Sequence, residues 1–321
     1  MRILVTGGAG FIGSHLCERL VLEGHSVIAI DNFSTGRASN LKGLDDSARF
    51  SLVECSILDS ARLNQLITNS DYVFHLAAAV GVFNIVNHPL DSLMTNIRGT
   101  ENVLEAAYAS GIPVFITSSS EVYGKNISDS LKESDDRILG SPVTLRWSYS
   151  EAKAIDESLA YAYFIEKQLE TRIVRFFNTV GPRQLGAYGM VVPRFVKAAL
   201  ANEPITIYGD GTQTRCFAHV YDVIDAVIAV AFAENAVGKV INIGNDFEIS
   251  INDLAQKIIE ETGSKSEIVY VPYEEAYGDG FEDMERRVPN IDLINELVGW
   301  KPKRYLSTII ADISAEMRKS S

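Results

Sequence analysis

The chain has 321 residues, of which 46% are hydrophobic and 22% are charged, a composition typical of a folded globular protein. Its formal net charge of −13 argues against a nucleic-acid partner, because phosphate backbones are bound by clustered Lys and Arg. Cys17, Cys55 and Cys216 are widely spaced and odd in number, so we expect neither a disulfide framework nor a metal site. The sequence shows no signal-peptide pattern and no apolar run of membrane-span length. We therefore expect a cytoplasmic protein without a membrane partner.

Short apolar runs alternate with helical patterns along the first 176 residues. In chain order the predicted strands are 3–6, 27–30, 50–53, 72–75, 114–117 and 172–175, and the predicted helices are 11–20, about 96–109 and about 148–166. Continuous apolar strands separated by helices are typical of a parallel sheet that is covered on both faces. The sequence therefore predicts an α/β fold with a doubly wound parallel sheet.

The regular alternation of apolar strands and helices ends after residue 176. Gly and Pro are frequent between residues 181 and 193, and later helices are predicted near Leu254 and Leu293, separated by irregular segments. Such a region suits a smaller C-terminal α/β domain that closes over the carboxyl edge of the sheet, where ligands of doubly wound folds bind.

A glycine-rich loop, Thr-Gly-Gly-Ala-Gly-Phe-Ile-Gly at residues 6–13, joins the first strand to the first helix. Gly7, Gly10 and Gly13 let the backbone turn sharply and let a pyrophosphate approach N–H groups at a helix N-terminus. Asp31 ends the second strand, where a carboxylate would bind ribose hydroxyls and repel a 2′-phosphate. The pattern predicts NAD rather than NADP as the cofactor. The alternative is a tight turn beside an incidental surface Asp.

Tyr149 and Lys153 lie four residues apart at the start of a predicted helix, so both project from one face. An adjacent ammonium stabilises a phenolate, which lets tyrosine take a proton from an alcohol while a hydride leaves. Three serines, residues 118–120, end the fifth strand and could hydrogen-bond the same alcohol. These residues predict an oxidation site. The alternative is a packing tyrosine beside a solvated lysine.

Several motifs together resemble the extended short-chain dehydrogenases/reductases that modify nucleotide-sugars. They are the glycine loop, His-Leu-Ala-Ala at 75–78, Asn96, Ser-Ser-Ser-Glu-Val-Tyr-Gly at 118–124, Tyr149 with Lys153, and Arg-Phe-Phe-Asn at 175–178. The resemblance covers essentially the whole chain. It implies a Rossmann-type NAD-binding domain at residues 1–177 and 217–247 and a nucleotide-sugar-binding domain at residues 178–216 and 248–321. It also implies a homodimer.

The resemblance further implies two sets of binding residues. The cofactor set is Gly7, Gly10, Phe11, Ile12, Gly13, Asp31, Asn32, Ser56, Ile57, Leu76, Ala77, Ala78, Asn96, Tyr149 and Lys153. The substrate set is Asn178, Val191, Thr206, Tyr208, Arg215 and Arg287. Within it, Asn178 and Arg215 would contact the nucleotide diphosphate, and residues 205–208 would bracket the base. Many members carry an Asp near the adenine where this chain has Ser56. His75 would end a core strand beside the cofactor without a catalytic role.

Members of this family begin by oxidising the sugar C4 hydroxyl, and three reactions can follow. Epimerases return the hydride to the other face, dehydratases remove the C5 proton and expel a C6 hydroxyl, and decarboxylases lose CO₂ from a glucuronate. Ser120-Glu121 resembles UDP-glucuronate decarboxylases, although GDP-mannose dehydratases share it. The segments 146–150 and 285–289 also resemble decarboxylases. The resemblance favours decarboxylation of UDP-glucuronate, with an epimerase, a dehydratase and a non-catalytic NAD sensor as alternatives.

The predicted catalytic residues are Ser119, Ser120, Glu121, Tyr149, Lys153 and Arg287. Arg287 could bind the C5 carboxylate through two hydrogen bonds, and Glu121 could transfer protons or orient the ring and a water. Alternatively, Arg286 and Arg287 could form surface ion pairs with acidic residues at 282, 283 or 285.

Overall fold

The computed structural model describes residues 1–81, 87–186, 190–272, 275, 284 and 286–320. The strands are β1 Arg2–Thr6, β2 Ser26–Asp31, β3 Phe50–Glu54, β4 Tyr72–His75, β5 Val114–Ser119, β6 Thr171–Phe176, β7 Thr179–Val180, β8 Ile205–Tyr208, β9 Thr214–Cys216, β10 Ala218–His219, β11 Val240–Ile243, β12 Glu248–Ser250 and β13 Ile268–Val271. The helices are α1 Phe11–Leu22, α2 Ser60–Thr68, α3 Pro89–Ser110, α4 Ser148–Lys167, α5 Val191–Ala201, α6 Val220–Ala231, α7 Ile251–Thr262, α8 Asp292–Val298 and α9 Leu306–Ser320.

A seven-stranded parallel sheet forms the centre of the larger part of the molecule. Its strands lie in the order β11-β6-β5-β4-β1-β2-β3. Ile3, Leu4 and Val5 of β1 are fully buried because helices cover both faces of the sheet. The strand order reverses between β1 and β4, which opens a crevice at the carboxyl edge. The predicted doubly wound α/β fold is confirmed.

Several elements differ from the sequence prediction. Helices α2, α5, α6 and α9 and the strands after β6 were not predicted. Helix α3 begins at Pro89 rather than near residue 96, since proline is tolerated in the first helical turn, and it ends where Gly111 takes a left-handed φ of 66°. Strand β11, which the sequence reading missed, pairs in parallel with β6 and buries Ile241 and Ile243. The alternation of strands and helices therefore continues beyond residue 176.

The smaller part of the molecule contains three two-stranded sheets, β10 with β7, β12 with β9, and β13 with β8. Helices α5, α7 and α9 pack around a separate apolar core that includes Val192, Phe195, Ile207, Leu254 and Ile309. The predicted helices near Leu254 and Leu293 are both present. The segment boundaries of the two domains stay a prediction. Within the described residues, no helix combines the length and apolar character needed to cross a membrane.

Candidate active site

A cavity of about 790 Å³ lies at the carboxyl edge of the central sheet. One wall consists of residues at or just after the ends of five parallel strands, among them Gly7, Asp31, Leu76, Ser119 and Phe176. The other wall comes from the smaller part of the molecule. The parallel sheet thus brings together side chains that are far apart in sequence.

The glycine loop provides a close backbone cradle at this edge. Gly7 has a φ of 67°, and a Cβ there would lie 2.8 Å from the Ala77 nitrogen. A Cβ on Gly13 would lie 2.1 Å from the Gly7 carbonyl oxygen. Four of the predicted cofactor residues, Gly10, Phe11, Ile12 and Gly13, line the cavity where α1 begins. The N–H groups of a first helical turn lack intrahelical acceptors, so this cradle fits the pyrophosphate of a dinucleotide.

Asp31 holds a fixed carboxylate beside the cradle. Its side chain accepts hydrogen bonds from the backbone nitrogens of Ala9 at 3.0 Å and Phe33 at 2.8 Å. Burial raises the pKa of Asp31, and these two hydrogen bonds oppose that shift. Asp31 and Asn32 line the cavity, so the carboxylate fits the predicted contact with the adenosine ribose.

Three predicted binding residues are set back from the described cavity wall, whereas Ile57, Leu76, Ala77 and Ala78 line it. Asn96 is buried and brackets Ala79, accepting from its nitrogen at 2.8 Å and donating to its oxygen at 3.2 Å. It therefore fixes the position of the loop after β4 without lining the described cavity wall.

The side chain of Ser56 and the backbone of Thr206 have partners close by. The Ser56 hydroxyl accepts from the Leu58 nitrogen within its own turn. The Thr206 carbonyl accepts from Arg194. Direct ligand contacts by these three residues stay predictions.

Tyr149 and Lys153 occupy one face of α4, as their spacing predicts, and both line the cavity. The Ser119 hydroxyl lies against Tyr149. Burial raises the pKa of Tyr149, and the Lys153 charge opposes that shift. The Lys153 ammonium donates to Asp156 at 3.0 Å, a buried partner that the sequence reading missed. Burial lowers the pKa of Lys153, but Asp156 and Tyr149 outweigh burial and the net shift is upward.

Glu121 lies between two arginines that also line the cavity. Its carboxylate is 2.6 Å from Arg146 and 2.8 Å from Arg287, and Arg287 also donates to Ser120 at 3.4 Å. Burial would raise the pKa of Glu121, but the two guanidinium groups hold it well below its usual range. The carboxylate is therefore ionised at neutral pH, which suits an orienting role better than proton transfer.

The two arginines lie in different surroundings: Arg286 forms an ion pair with Glu248, whereas Arg287 is buried in the cavity wall. Arg286 is exposed and bonds Glu248 at 2.7 Å. Arg287 is only 6% exposed and lines the cavity. The proposed acidic partners at 282, 283 and 285 lie outside the described residues.

Four of the predicted substrate-binding residues belong to the wall of the same cavity. Asn178, Val191, Tyr208 and Arg215 all line it. The side chains of Asn178 and Arg215 each donate to a backbone carbonyl, which fixes their orientation. Arg194 stacks over the Tyr208 ring at 4.2 Å from the ring centroid.

His75 has the structural role that was predicted. It is buried beneath the cavity and contacts the hydroxyls of Thr6 at 2.8 Å and Thr100 at 3.1 Å. Burial, with a smaller contribution from the Lys153 charge, lowers the pKa of His75 to about 3. The imidazole is therefore neutral at physiological pH.

Comparisons with known proteins agree with this geometry. The NAD dependent epimerase/dehydratase family matches residues 3–244. The chain is 42% identical to the UDP-N-acetyl-alpha-D-glucosaminuronate decarboxylase of Bacillus cytotoxicus, over 94% of this chain and 92% of the relative. It is 35% identical to UDP-glucuronic acid decarboxylase 1 of Xenopus tropicalis, over 94% of this chain and 68% of the relative. A crystal structure of the UDP-glucuronic acid 4-epimerase of Bacillus cereus, in complex with UDP-glucuronic acid and NAD, matches with a TM-score of 0.90 at 30% identity and 100% coverage of both chains. The chain belongs to the NAD-dependent epimerase/dehydratase family.

As a member of the NAD-dependent epimerase/dehydratase family, the protein is an enzyme that uses NAD to modify a nucleotide-sugar. The resemblance stated from the sequence motifs is confirmed, and the alternative of a non-catalytic sensor is set aside. Two cavity-associated residues received no role from the sequence, Arg146 and Asp156. Arg146 belongs to the segment 146–150, which resembles decarboxylases. Asp156 shares a face of α4 with Lys153 at i, i+3 spacing, which is the signal that could have identified it.

Proposed function

We propose that this enzyme decarboxylates a UDP-hexuronate, with UDP-glucuronate as the first candidate substrate. The observation that carries the proposal is the cluster formed by Arg146, Glu121 and Arg287 in the cavity wall. Two guanidinium groups face one carboxylate there, so this part of the wall is cationic and partly desolvated. A sugar carboxylate is the substituent that such a wall binds through charge-assisted hydrogen bonds.

Residues of this chain then supply the proton chemistry at C4. Tyr149 accepts the C4 hydroxyl proton, Lys153 stabilises the phenolate, and Ser119 hydrogen-bonds the same oxygen. NAD⁺, held by the glycine cradle and Asp31, supplies the hydride acceptor when bound. The resulting β-keto acid loses CO₂ as the C5–C6 bond breaks and its electron pair moves into the C4 carbonyl. Addition of a proton at C5 then gives the 4-keto-pentose.

Both relatives are named for UDP-hexuronates, and the two substrates differ in one substituent. The relative at 42% identity is named for a 2-acetamido hexuronate and the relative at 35% identity for glucuronic acid. Both substrates carry the C5 carboxylate that the cationic wall would bind. They differ at C2, so a substrate panel has to contain both.

Mass spectrometry of the products formed from a panel of nucleotide-sugars tests the proposal. The panel contains UDP-glucuronate, UDP-N-acetylglucosaminuronate, UDP-glucose, UDP-N-acetylglucosamine, dTDP-glucose and GDP-mannose, each with NAD⁺ and with Tyr149→Phe protein as the control. We expect a UDP-hexuronate to lose one CO₂ and give a UDP-pentose or its 4-keto form. Retention of the carboxylate with inversion at C4 would identify an epimerase. Loss of water from a neutral hexose nucleotide would identify a dehydratase.

We also propose that the enzyme is a homodimer through α3 and α4, which pack side by side. Five large apolar side chains are exposed on these helices: Leu90 at 69%, Tyr108 at 46%, Ile155 at 41%, Tyr161 at 47% and Ile165 at 56%. Apolar side chains grouped on neighbouring helices commonly mark an interface. Light scattering should give twice the monomer mass, and Ile165→Glu should reduce it to the monomer. A monomeric wild-type protein would contradict the proposal. The cytoplasmic location stays a prediction.

A further inference from the structure

Asp156 lies directly behind the catalytic face of α4. Tyr149, Lys153 and Asp156 follow one another at i, i+4 and i+7, so their side chains share one stripe of the helix. The Lys153 ammonium is 3.0 Å from the Asp156 carboxylate, and the two side chains are 3% and 0% exposed. Tyr149 and Lys153 line the cavity, whereas Asp156 is set back from the described cavity wall. A buried carboxylate thus contacts the catalytic lysine without lining the described cavity wall.

A chain of polar groups leads from the cofactor loop toward this carboxylate. The Ala77 nitrogen donates to the Thr6 hydroxyl at 3.0 Å, and the Thr6 hydroxyl is 2.8 Å from Nδ1 of His75. Nε2 of His75 is 3.1 Å from the Thr100 hydroxyl, which lies against Asp156.

One tautomer of His75 gives these hydrogen bonds a common direction. The Thr6 oxygen accepts from the Ala77 N–H, and we assign its own proton to Nδ1 of His75. A neutral imidazole that accepts at Nδ1 carries its proton on Nε2 and donates to Thr100. The Thr100 hydroxyl then has its own proton to donate, and it lies near the Asp156 carboxylate. The hydrogen bond that the structure gives to this carboxylate comes from Lys153.

We propose that Asp156 is a positioning residue: it fixes the Lys153 ammonium beneath Tyr149, and its charge sets the pH window in which Tyr149 exchanges a proton with the substrate. The inference rests on the proposed function only in requiring oxidation of a sugar hydroxyl, the step that epimerases, dehydratases and decarboxylases share. It requires no decarboxylation.

The charges around the pair give the sign of the effect. Among the described residues, Tyr149 faces Lys153, which lowers its pKa, and Glu121 and Asp156, which raise it. Lys153 faces Asp156, Tyr149 and Glu157, which raise its pKa against burial, and neutral His75 lies nearby. Asp156 thus offsets part of the lysine charge that Tyr149 experiences and also keeps the lysine protonated.

Removal of the Asp156 charge should therefore move both limits of activity in the same direction. Without the carboxylate, Lys153 lowers the pKa of Tyr149 further, so the acidic limb of the pH profile moves to lower pH. Lys153 itself loses its buried counter-ion, so it deprotonates at lower pH and the basic limb moves down as well.

Single-turnover NADH formation, measured against pH, tests the proposal with Asp156→Asn and a UDP-sugar that the wild-type enzyme oxidises. We expect both limbs to move down by about one pH unit, the size of shift that a nearby charge commonly produces. We expect the KM for the UDP-sugar to stay unchanged, because Asp156 is set back from the cavity wall. Asp156→Ser removes the same charge with a smaller side chain and provides the measurement if the Asn variant folds poorly.

Asp222→Asn is the matched control. Asp222 is a buried carboxylate, 1% exposed, that bonds Arg304 outside the described cavity wall. This variant should lower the unfolding temperature and leave both limbs in place. A folded Asp156 variant whose limbs coincide with those of the wild type would overturn the proposal, since a purely structural role predicts that result. Oxidation without CO₂ loss would contradict the proposed function alone, and a wild-type enzyme that oxidises no UDP-sugar would contradict both.

Discussion

The two ends of the cavity are built in different ways. At the cofactor end, the glycine loop of residues 6–13 forms the cradle within one short segment, and Asp31 follows one strand later. At the sugar end, Glu121 and Arg287 meet across a sequence separation of 166 residues, and Arg146 joins them from a third segment. The cofactor end is therefore formed by residues close together in sequence, whereas the sugar end forms only when distant segments pack together.

The difference corresponds to what each end does. The cofactor end serves hydride transfer, which every reaction of the family requires, so a backbone shape encoded by glycines is sufficient. Under the proposed function, the sugar end has to distinguish a carboxylate from a hydroxymethyl group, which requires charges placed in three dimensions. Substitutions at the sugar end should therefore change which product forms, whereas substitutions at the cofactor end should change NAD binding.

Tyr149→Phe should have the largest effect, because the proposed function assigns to Tyr149 the proton transfer of the oxidation step. The change keeps the ring and deletes the hydroxyl to which that proton transfer is assigned. Turnover should fall by about 10³-fold, within the range that general acid–base catalysis contributes, while the nucleotide-sugar still binds. Steady-state rates and calorimetric titration measure the two quantities. Near-normal turnover would exclude Tyr149 as the acid/base.

Arg287→Ala should have the next largest effect and should act on the sugar end alone. Loss of this guanidinium removes one of the two cationic partners of Glu121 and the proposed contact to the C5 carboxylate. Decarboxylation should fall by about 10²-fold, as expected when a desolvated charge loses its partner, and oxidation at C4 should fall less. CO₂ release and NADH absorbance report on the two steps separately.

Arg286→Ala is the natural control, since the neighbouring arginine is exposed and bonds Glu248 at the surface. Its activity should stay close to that of the wild type. If the two variants lose CO₂ release equally, the assignment of Arg287 to the substrate carboxylate is wrong.

The sequence was sufficient for the elements whose signal is local. Strands β1 to β6, the glycine cradle and the shared face of Tyr149 and Lys153 follow from apolar runs and helical spacing. Strand β11, Val240–Ile243, was missed because the prediction ended the alternation of strands and helices at residue 176.

The remaining features could not be read from the sequence because they depend on tertiary contacts. A carboxylate within a helix, such as Asp156, resembles a solvated charge until the helix packs against the sheet and buries it. The link from Glu121 to Arg146 and Arg287 exists only once three segments meet. Asn96 was assigned to the cofactor by resemblance, but it holds the Ala79 loop from behind instead of lining the described wall.

Asp31→Ala should have a moderate effect confined to the cofactor end. The variant loses a ribose acceptor and the negative charge that repels a 2′-phosphate. NAD affinity should fall by about 10-fold or more, the usual cost of one hydrogen bond to a charged group, and the preference for NAD over NADP should narrow. Fluorescence titration with both dinucleotides measures the change. Unchanged affinity and selectivity would show that Asp31 does not bind the ribose.

Ser56→Ala should have the smallest effect. It tests whether Ser56, which the family resemblance assigns to cofactor binding, contacts NAD although it does not line the described cavity wall. The neighbours Cys55 and Ile57 line the cavity, whereas the Ser56 hydroxyl accepts from the Leu58 nitrogen within its own turn. Its loss should change stability by no more than about 0.5 kcal/mol, as for most surface substitutions, and NAD affinity by no more than about twofold. The same dinucleotide titration, beside Asp31→Ala, provides the comparison. A loss of NAD affinity as large as that of Asp31→Ala would place Ser56 in direct contact with the adenine and extend the cofactor end beyond the described cavity wall.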